Sequence, residues 1–130
     1  MYALDTNTLI YYFKNSGNVS KNLLKYSPSE LAIPAIVMFE LGVGIAKSNS
    51  PQKRISQLNE LTSLVKILDF TSQEADESAK IRAYLESKGT PIGPLDCLIA
   101  GTVLSNNATL VTHNVKEFNR IEGLKIVDWF

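Results

Sequence analysis

Three acidic residues stand where the surrounding pattern calls for something apolar. Asp5 closes MYALD, between the hydrophobic Tyr2-Ala3-Leu4 and the hydrophobic stretch from Leu9 to Phe13. Glu40 is the only charge in IPAIVMFELGVGIA, and Asp96 interrupts PIGPLDCLIAG just as an apolar helix begins. Burying an ionised carboxylate costs several kcal/mol unless it is paired or coordinates a metal. No Lys or Arg lies within six residues of Glu40 or Asp96, so local pairing is not available. A shared divalent cation would compensate them, and hard oxygen ligands without a Cys or His cluster favour Mg²⁺ or Mn²⁺ over Zn²⁺.

Each of these residues also has a purely structural reading. Asp5 and Asp96 both sit where an N-cap would be placed, and capping is common work for Asp. Glu40 cannot cap, but it could form a buried ion pair with a distant Lys or Arg. Thr6, Asn7 and Thr8 carry short polar groups that can satisfy the unpaired N–H groups of a helix start or contact a metal-bound water. Cys97 reads as core filler inside an apolar helix, and His113 has no second His or Cys with which to hold a metal.

The elements that must position these groups alternate between strands and helices. Tyr2 to Leu4 reads as a buried strand and Leu9 to Phe13 as a helix. Val19 to Tyr26 reads as a short helix behind Asn18 or Ser20, and Leu31 to Ile33 as a strand closed by Pro34, which suits the first turn of the next helix. That helix runs from Ala35 to Lys47, with Ile36, Phe39, Val43 and Ala46 along one stripe. Pro51 opens another, whose Ile55, Leu58, Leu61, Leu64 and Val65 follow the helical period. Val65 to Phe70 fits a third strand, and Thr71 or Ser72 with Glu74 caps a polar helix that runs to Lys88 and ends at Gly89. After the turn-rich GTPIGPLD come the apolar helix from Leu95 to Leu104 and strands over Ala108 to Thr112 and Leu124 to Val127. This alternation predicts a three-layer α/β/α sandwich around a mainly parallel sheet, as one domain over residues 1–130. Ligands of such sheets sit outside the carboxyl ends of the strands, which is where Asp5 falls.

Composition narrows the function classes. The chain has 130 residues, is 45% hydrophobic and 20% charged, and balances 13 Lys plus Arg against 13 Asp plus Glu. The profile is globular rather than disordered. With no global basic field, a polyanionic partner would have to meet a local patch, for which Lys14, Lys47, Lys53, Arg54, Lys88, Lys116 and Arg120 are available. A single Cys excludes a disulfide framework. With neither a leader-like start nor an apolar run long enough to span a bilayer, a cytoplasmic location without membrane contact is expected. There is no Walker A sequence, and Gly42 and Gly44 lie inside a helix rather than in a phosphate-binding turn.

Several strings resemble one family across the whole chain and in order. LDTNTLIYY, MFELGVG, KGTPIGPLDCLIAG, LVTHNVKEFNRI and the closing IVDWF are similar to the PIN-domain ribonucleases of the VapC toxin type. The resemblance implies an α/β/α sandwich that binds Mg²⁺ or Mn²⁺ through clustered acids and cuts RNA, with a tRNA or ribosomal RNA loop favoured and tRNA preferred. By position, Asp5, Glu40 and Asp96 match the family's central acids and metal ligands. Thr112 matches the Thr or Ser ending its fourth strand. The family often has a fourth acid two positions later. Asn114 stands there in this chain, with Glu117 the nearest acid, so Asn114 joins the catalytic set by position. Thr6, Asn7, Thr112 and Glu117 are possible accessories. The resemblance further implies a small VapB-like antitoxin partner, DNA contact only through that antitoxin, and a homodimer with helices from the Ala35 to Leu64 region in contact.

Rival readings fare less well. An aspartyl phosphatase of the haloacid dehalogenase class needs a second Asp two residues after the first, where this chain has Asn7. A receiver domain needs an acidic pair after its first strand, and Asp5 is alone. An inactive PIN fold that binds RNA or protein without cutting is kept open by Asn114.

Overall fold

The computed structural model describes residues 1–130. Its strands are β1 (Tyr2–Leu4), β2 (Leu31–Pro34), β3 (Lys66–Leu68), β4 (Thr109–Val111) and β5 (Lys125–Val127). Every pairing is parallel, and the order across the sheet is β3-β2-β1-β4-β5. The helices are α1 (Thr6–Lys14), α2 (Val19–Leu23), α3 (Ala35–Lys47), α4 (Gln52–Thr62), α5 (Ser72–Ser87), α6 (Pro94–Ser105) and α7 (Val115–Phe118). All four residues of β2 are buried, as are Ala3, Leu4, Leu110 and Val111 of its neighbours. Burial on both faces is what helical layers above and below a parallel sheet require.

The strands are shorter than the hydrophobic runs that foretold them. Val65, Phe70, Ala108, Thr112 and Leu124 fall outside the ladders, although Val65, Ala108 and Thr112 are still buried. Pro34 ends β2 and caps α3, which runs from Ala35 to Lys47 as expected, and its missing N–H is tolerated where the ladder ends. Helix α2 stops at Leu23, short of Tyr26. The Tyr26 ring instead stacks on Trp129, with centroids 5.0 Å apart.

The α3 stripe also differs from expectation. Val37 and Leu41 face the core, whereas Phe39 is 58% exposed and Val43 is 38% exposed. An apolar stripe on a helix that is hydrophobic nearly all round does not by itself say which side is inward. On α5 the Thr71 and Glu74 capping box forms as the pattern implies, and Gly89 takes φ +70 after the helix end. Helices α5 and α6 pack so closely that a Cβ on Gly101 would come within 2.9 Å of Ser78 Cα.

From β1 the chain moves through β2 to β3 on one side, then returns to lay β4 and β5 on the other. The order therefore reverses at β1, and the crevice at its carboxyl end is the usual place for a ligand in an open parallel sheet.

Candidate active site

Asp5 sits in that crevice. Its N–H donates to Val111 O at 3.2 Å, which continues the β1 and β4 pairing by one residue. Its extended backbone then turns the chain into α1, with Asp5 Oδ1 accepting the Thr8 N–H at 2.9 Å. The capping reading of Asp5 is thus correct, but that bond occupies one oxygen, and the same carboxylate lines a recess of ≈ 100 Å³. Asp5 is only 5% exposed. Burial raises its carboxyl pKa above the ordinary value and the Glu40 charge adds to the rise, while the Thr112 and Thr8 hydroxyls and the Thr8 N–H oppose it.

Glu40 reaches the same recess from α3, and its Oε1 accepts the Thr6 hydroxyl at 2.6 Å. The alternative of a buried ion pair fails for this residue. The ion pairs of the chain are Lys80–Glu77, Arg82–Glu86 and His113–Asp128.

Asp96 is the third residue of α6 and does not cap it. Gly93 occupies the cap position and Pro94 opens the first turn. A Cβ on Gly93 would lie 3.3 Å from Asp96 Oδ2, so the glycine gives the carboxylate room. The half-buried Asp96 carboxyl is pushed up from 3.8 to about 6, by burial first and then by the charges of Glu40, Glu117 and Asp5. Three further acids thus bear on Asp96 across a small volume.

Asn114 supplies the remaining polar wall, together with Thr6 and Asn7. Its N–H donates to Thr112 Oγ1 at 3.0 Å and its side-chain amide donates to Glu117 Oε2 at 3.2 Å. Glu117 therefore reaches back along the helical turn of α7, but it touches Asn114 rather than the recess itself. Thr112 is fully buried and holds the Asn114 backbone without lining the recess.

Ile99 and Phe118, which the sequence reading did not single out, complete the wall. Ile99 lies three residues after Asp96 and Phe118 four after Asn114, so helical spacing was the available signal. Cys97 is 3% exposed and burial pushes its thiol up, as suits a core residue. His113 Nδ1 lies 2.9 Å from Asp128 Oδ2, and its ring stacks on Phe130. A larger cavity of ≈ 350 Å³ is lined by residues such as Tyr12 of α1, Ser20 of α2 and Leu61 of α4, with Glu60 its only acid. The three carboxylates singled out in the sequence line the smaller recess instead.

The donors fit a hard divalent cation. They are carboxylates from β1's end, α3 and α6, neutral oxygens from Thr6, Asn7 and Asn114, and no Lys or Arg among the lining residues. The side chains stand apart, and no three of the His, Cys, Asp or Glu residues are close enough to share one ion as placed. Like charges facing one another across a recess repel, and the carboxylates would have to draw closer together to share a cation.

Comparison with known proteins identifies the family and agrees with the fold. The PIN-domain family profile matches residues 2–124. The chain is 38% identical over 128 residues to the tRNA(fMet)-specific endonuclease VapC of Salmonella typhimurium, covering 98% of this chain and 97% of that one. It is 36% identical to ribonuclease VapC2 of Rickettsia felis, covering 99% and 98%. Among solved structures, the Rickettsia felis VapBC2 complex bound to a promoter DNA fragment superposes with a TM-score of 0.91 at 37% identity, covering 99% and 98% of the two chains. The DNA-bound VapBC of Salmonella typhimurium gives the same TM-score of 0.91 at 37% identity, with the same coverage. A PIN-type crevice carrying the acids at Asp5, Glu40 and Asp96, and full-length likeness to ribonucleases of this kind, lead to one conclusion: the chain belongs to the PIN-domain family, in its VapC group.

Proposed function

We propose that this chain is a metal-dependent endoribonuclease, the toxin of a VapBC-like type II toxin-antitoxin module, and that it hydrolyses phosphodiester bonds in tRNA. The observation that carries the reading is the recess at the carboxyl end of β1, where Asp5, Glu40 and Asp96 converge with no basic residue in the wall. The relatives named as tRNA(fMet)-specific endonucleases support tRNA as the substrate.

Asp5, Glu40 and Asp96 would hold Mg²⁺ or Mn²⁺. The chemistry supplied by such an ion is neutralisation of phosphate charge and activation of a water, which needs no His or Ser nucleophile. The chain's own residues do the rest. Thr6 holds the Glu40 carboxylate in position, the cap to Thr8 fixes the Asp5 rotamer, and Gly93 clears space for Asp96. Ile99 and Phe118 form an apolar floor that limits water around the carboxylates and so strengthens their electrostatics. Asn114, backed by Thr112 and Glu117, offers a neutral oxygen and a carboxylate behind it.

The partner is a small VapB-like antitoxin, in keeping with the complexes among the structural neighbours, and DNA is met through that antitoxin. Phe39 and Val43, exposed on α3, form the contact of a homodimer. No helix of the chain is long and apolar enough to cross a membrane, and the cytoplasm is where its RNA substrate resides.

The test is cleavage of unfractionated tRNA by purified toxin freed of antitoxin. Cleavage in Mn²⁺ or Mg²⁺, lost in chelator and in Asp5→Asn, supports the enzyme. The neutral Asn114 in the wall favours one competing reading, an inactive PIN fold that binds RNA, and binding without cleavage under every metal condition would establish that instead.

A further inference from the structure

A second groove opens beside the carboxylate recess and shares Glu40 with it. Its volume is ≈ 220 Å³, about twice that of the recess, and it runs between α1, α3 and the start of α4. Lys14, Ser48 and Arg54 line it, along with Ile10 and Ile45. Neither Lys14 nor Arg54 belongs to an ion pair of the chain. Arg54 is nonetheless held in place. Its Nη1 donates to Gln57 Oε1 at 2.9 Å, and its guanidinium lies 4.9 Å from the centroid of the Phe13 ring. Gln57 is anchored in turn by donating to Phe13 O at 3.3 Å. One N–H of the guanidinium is used by this arrangement, and the remaining donors are left for an anion.

We propose that this groove is a phosphate subsite in which Lys14 and Arg54 hold a backbone phosphate of the RNA strand adjacent to the one cut. The proposal rests on the ribonuclease reading above. Three features lead to it. Two unpaired cations outnumber the single acid of the groove, and that acid turns its Oε1 to Thr6 at the recess. A strand lying across the recess must continue somewhere, and this groove lies next to it, with Glu40 in the wall of both. Fixing Arg54 on Phe13 and Gln57 before any ligand arrives lowers the ordering cost of binding. A chain of net charge zero thereby gains a local site for a polyanion without a global basic field.

The experiment compares Lys14→Gln, Arg54→Gln and Arg54→Lys with the unsubstituted chain, and uses Lys80→Gln as a charge-loss control from a different groove. Binding of a fluorescein-labelled single-stranded RNA is followed against salt in an Asp5→Asn background, and cleavage of tRNA is measured without that background. Each Gln variant is expected to lower the slope of log K against log salt by about 0.7, which is about five-fold weaker binding at ~0.1 M salt. KM should rise with kcat unchanged, Arg54→Lys should keep the slope, and Lys80→Gln should behave like the parent. Arg54 also packs on Phe13, so its variants are checked by thermal melting, and the exposed Lys14 provides the independent arm. Unchanged slopes in both Gln variants overturn the subsite, as does weakened binding of the cognate antitoxin with RNA binding intact. Absence of RNA cleavage by the parent chain overturns the ribonuclease reading and the subsite with it.

Discussion

Asp96→Asn should make the metal-free protein more stable at neutral pH while destroying its response to metal. In the fold the carboxyl titrates at about 6 instead of 3.8, so the folded state holds the proton more tightly than the unfolded one. The sign follows directly: Asp96 carries no penalty below about pH 4, the penalty grows as pH rises toward 6, and it is constant above. At about 1.36 kcal/mol per pH unit the upper limit is about 3 kcal/mol. The residue is only half-buried, so solvent screening reduces this by about half. Replacing the acid in the first turn of α6 also forfeits a favourable dipole interaction of about 0.3–1 kcal/mol. The net gain for Asn is therefore ~0.5–1 kcal/mol, or a rise of about 2–5 °C in Tm for a domain of this size. Melting curves in chelator at pH 7.5 and pH 3.5 measure it, with Mn²⁺ added in a second series at pH 7.5. The gain should be present at pH 7.5 and nearly absent at pH 3.5, below the unfolded-state value of 3.8. Mn²⁺ should raise the Tm of the parent chain by mass action and that of the variant much less. An Asn variant that melts at or below the parent at pH 7.5 in chelator, or a gain that persists undiminished at pH 3.5, refutes the crowding of acids inferred for the recess.

Asp5→Asn and Glu40→Gln should each lower tRNA cleavage by about 100-fold or more while leaving circular dichroism unchanged, since Asn caps α1 as well as Asp does. Asn114→Asp should move the metal dependence of activity to lower concentration and Glu117→Gln to higher; two unchanged titrations would remove both positions from the site. Gly101→Ala should cost about 1–3 kcal/mol, because its Cβ would collide with Ser78 Oγ and come within 2.8 Å of Ser78 N; a denaturant midpoint equal to the parent's would contradict the close α5 and α6 packing. Phe39→Glu, on a ring that is 58% exposed, should convert the proposed homodimer to monomer in sedimentation at micromolar concentration; a parent chain that is itself a monomer, or a variant that still sediments with a dimeric parent, would exclude the α3 contact.

Much of the site was legible in one dimension because charge is conspicuous in apolar strings. Asp5, Glu40 and Asp96 stand out for that reason, and the recess contains all of them. The capping box at Thr71 and Glu74 was equally readable, since both partners lie within one helical turn. Alternating strand and helix patterns determined the parallel α/β class through local periodicity alone. What depends on contacts between distant residues could be decided only by the folded chain. The strand order sets the crevice at β1, and the Thr6 to Glu40 bond spans 34 positions. Whether Asp5 and Asp96 were caps was also undecidable from residue type: Asp5 caps α1, whereas Pro94 starts α6 early enough to place Asp96 inside the first turn. The α3 stripe of Phe39 and Val43 points outward because Val37 and Leu41 take the core, a choice between two apolar faces that periodicity leaves equal. Lys14 and Arg54, 40 positions apart, become neighbours of Glu40 only through the packing of α1, α3 and α4. Local patterns mark which residues could carry chemistry, and tertiary packing decides which of them face one another.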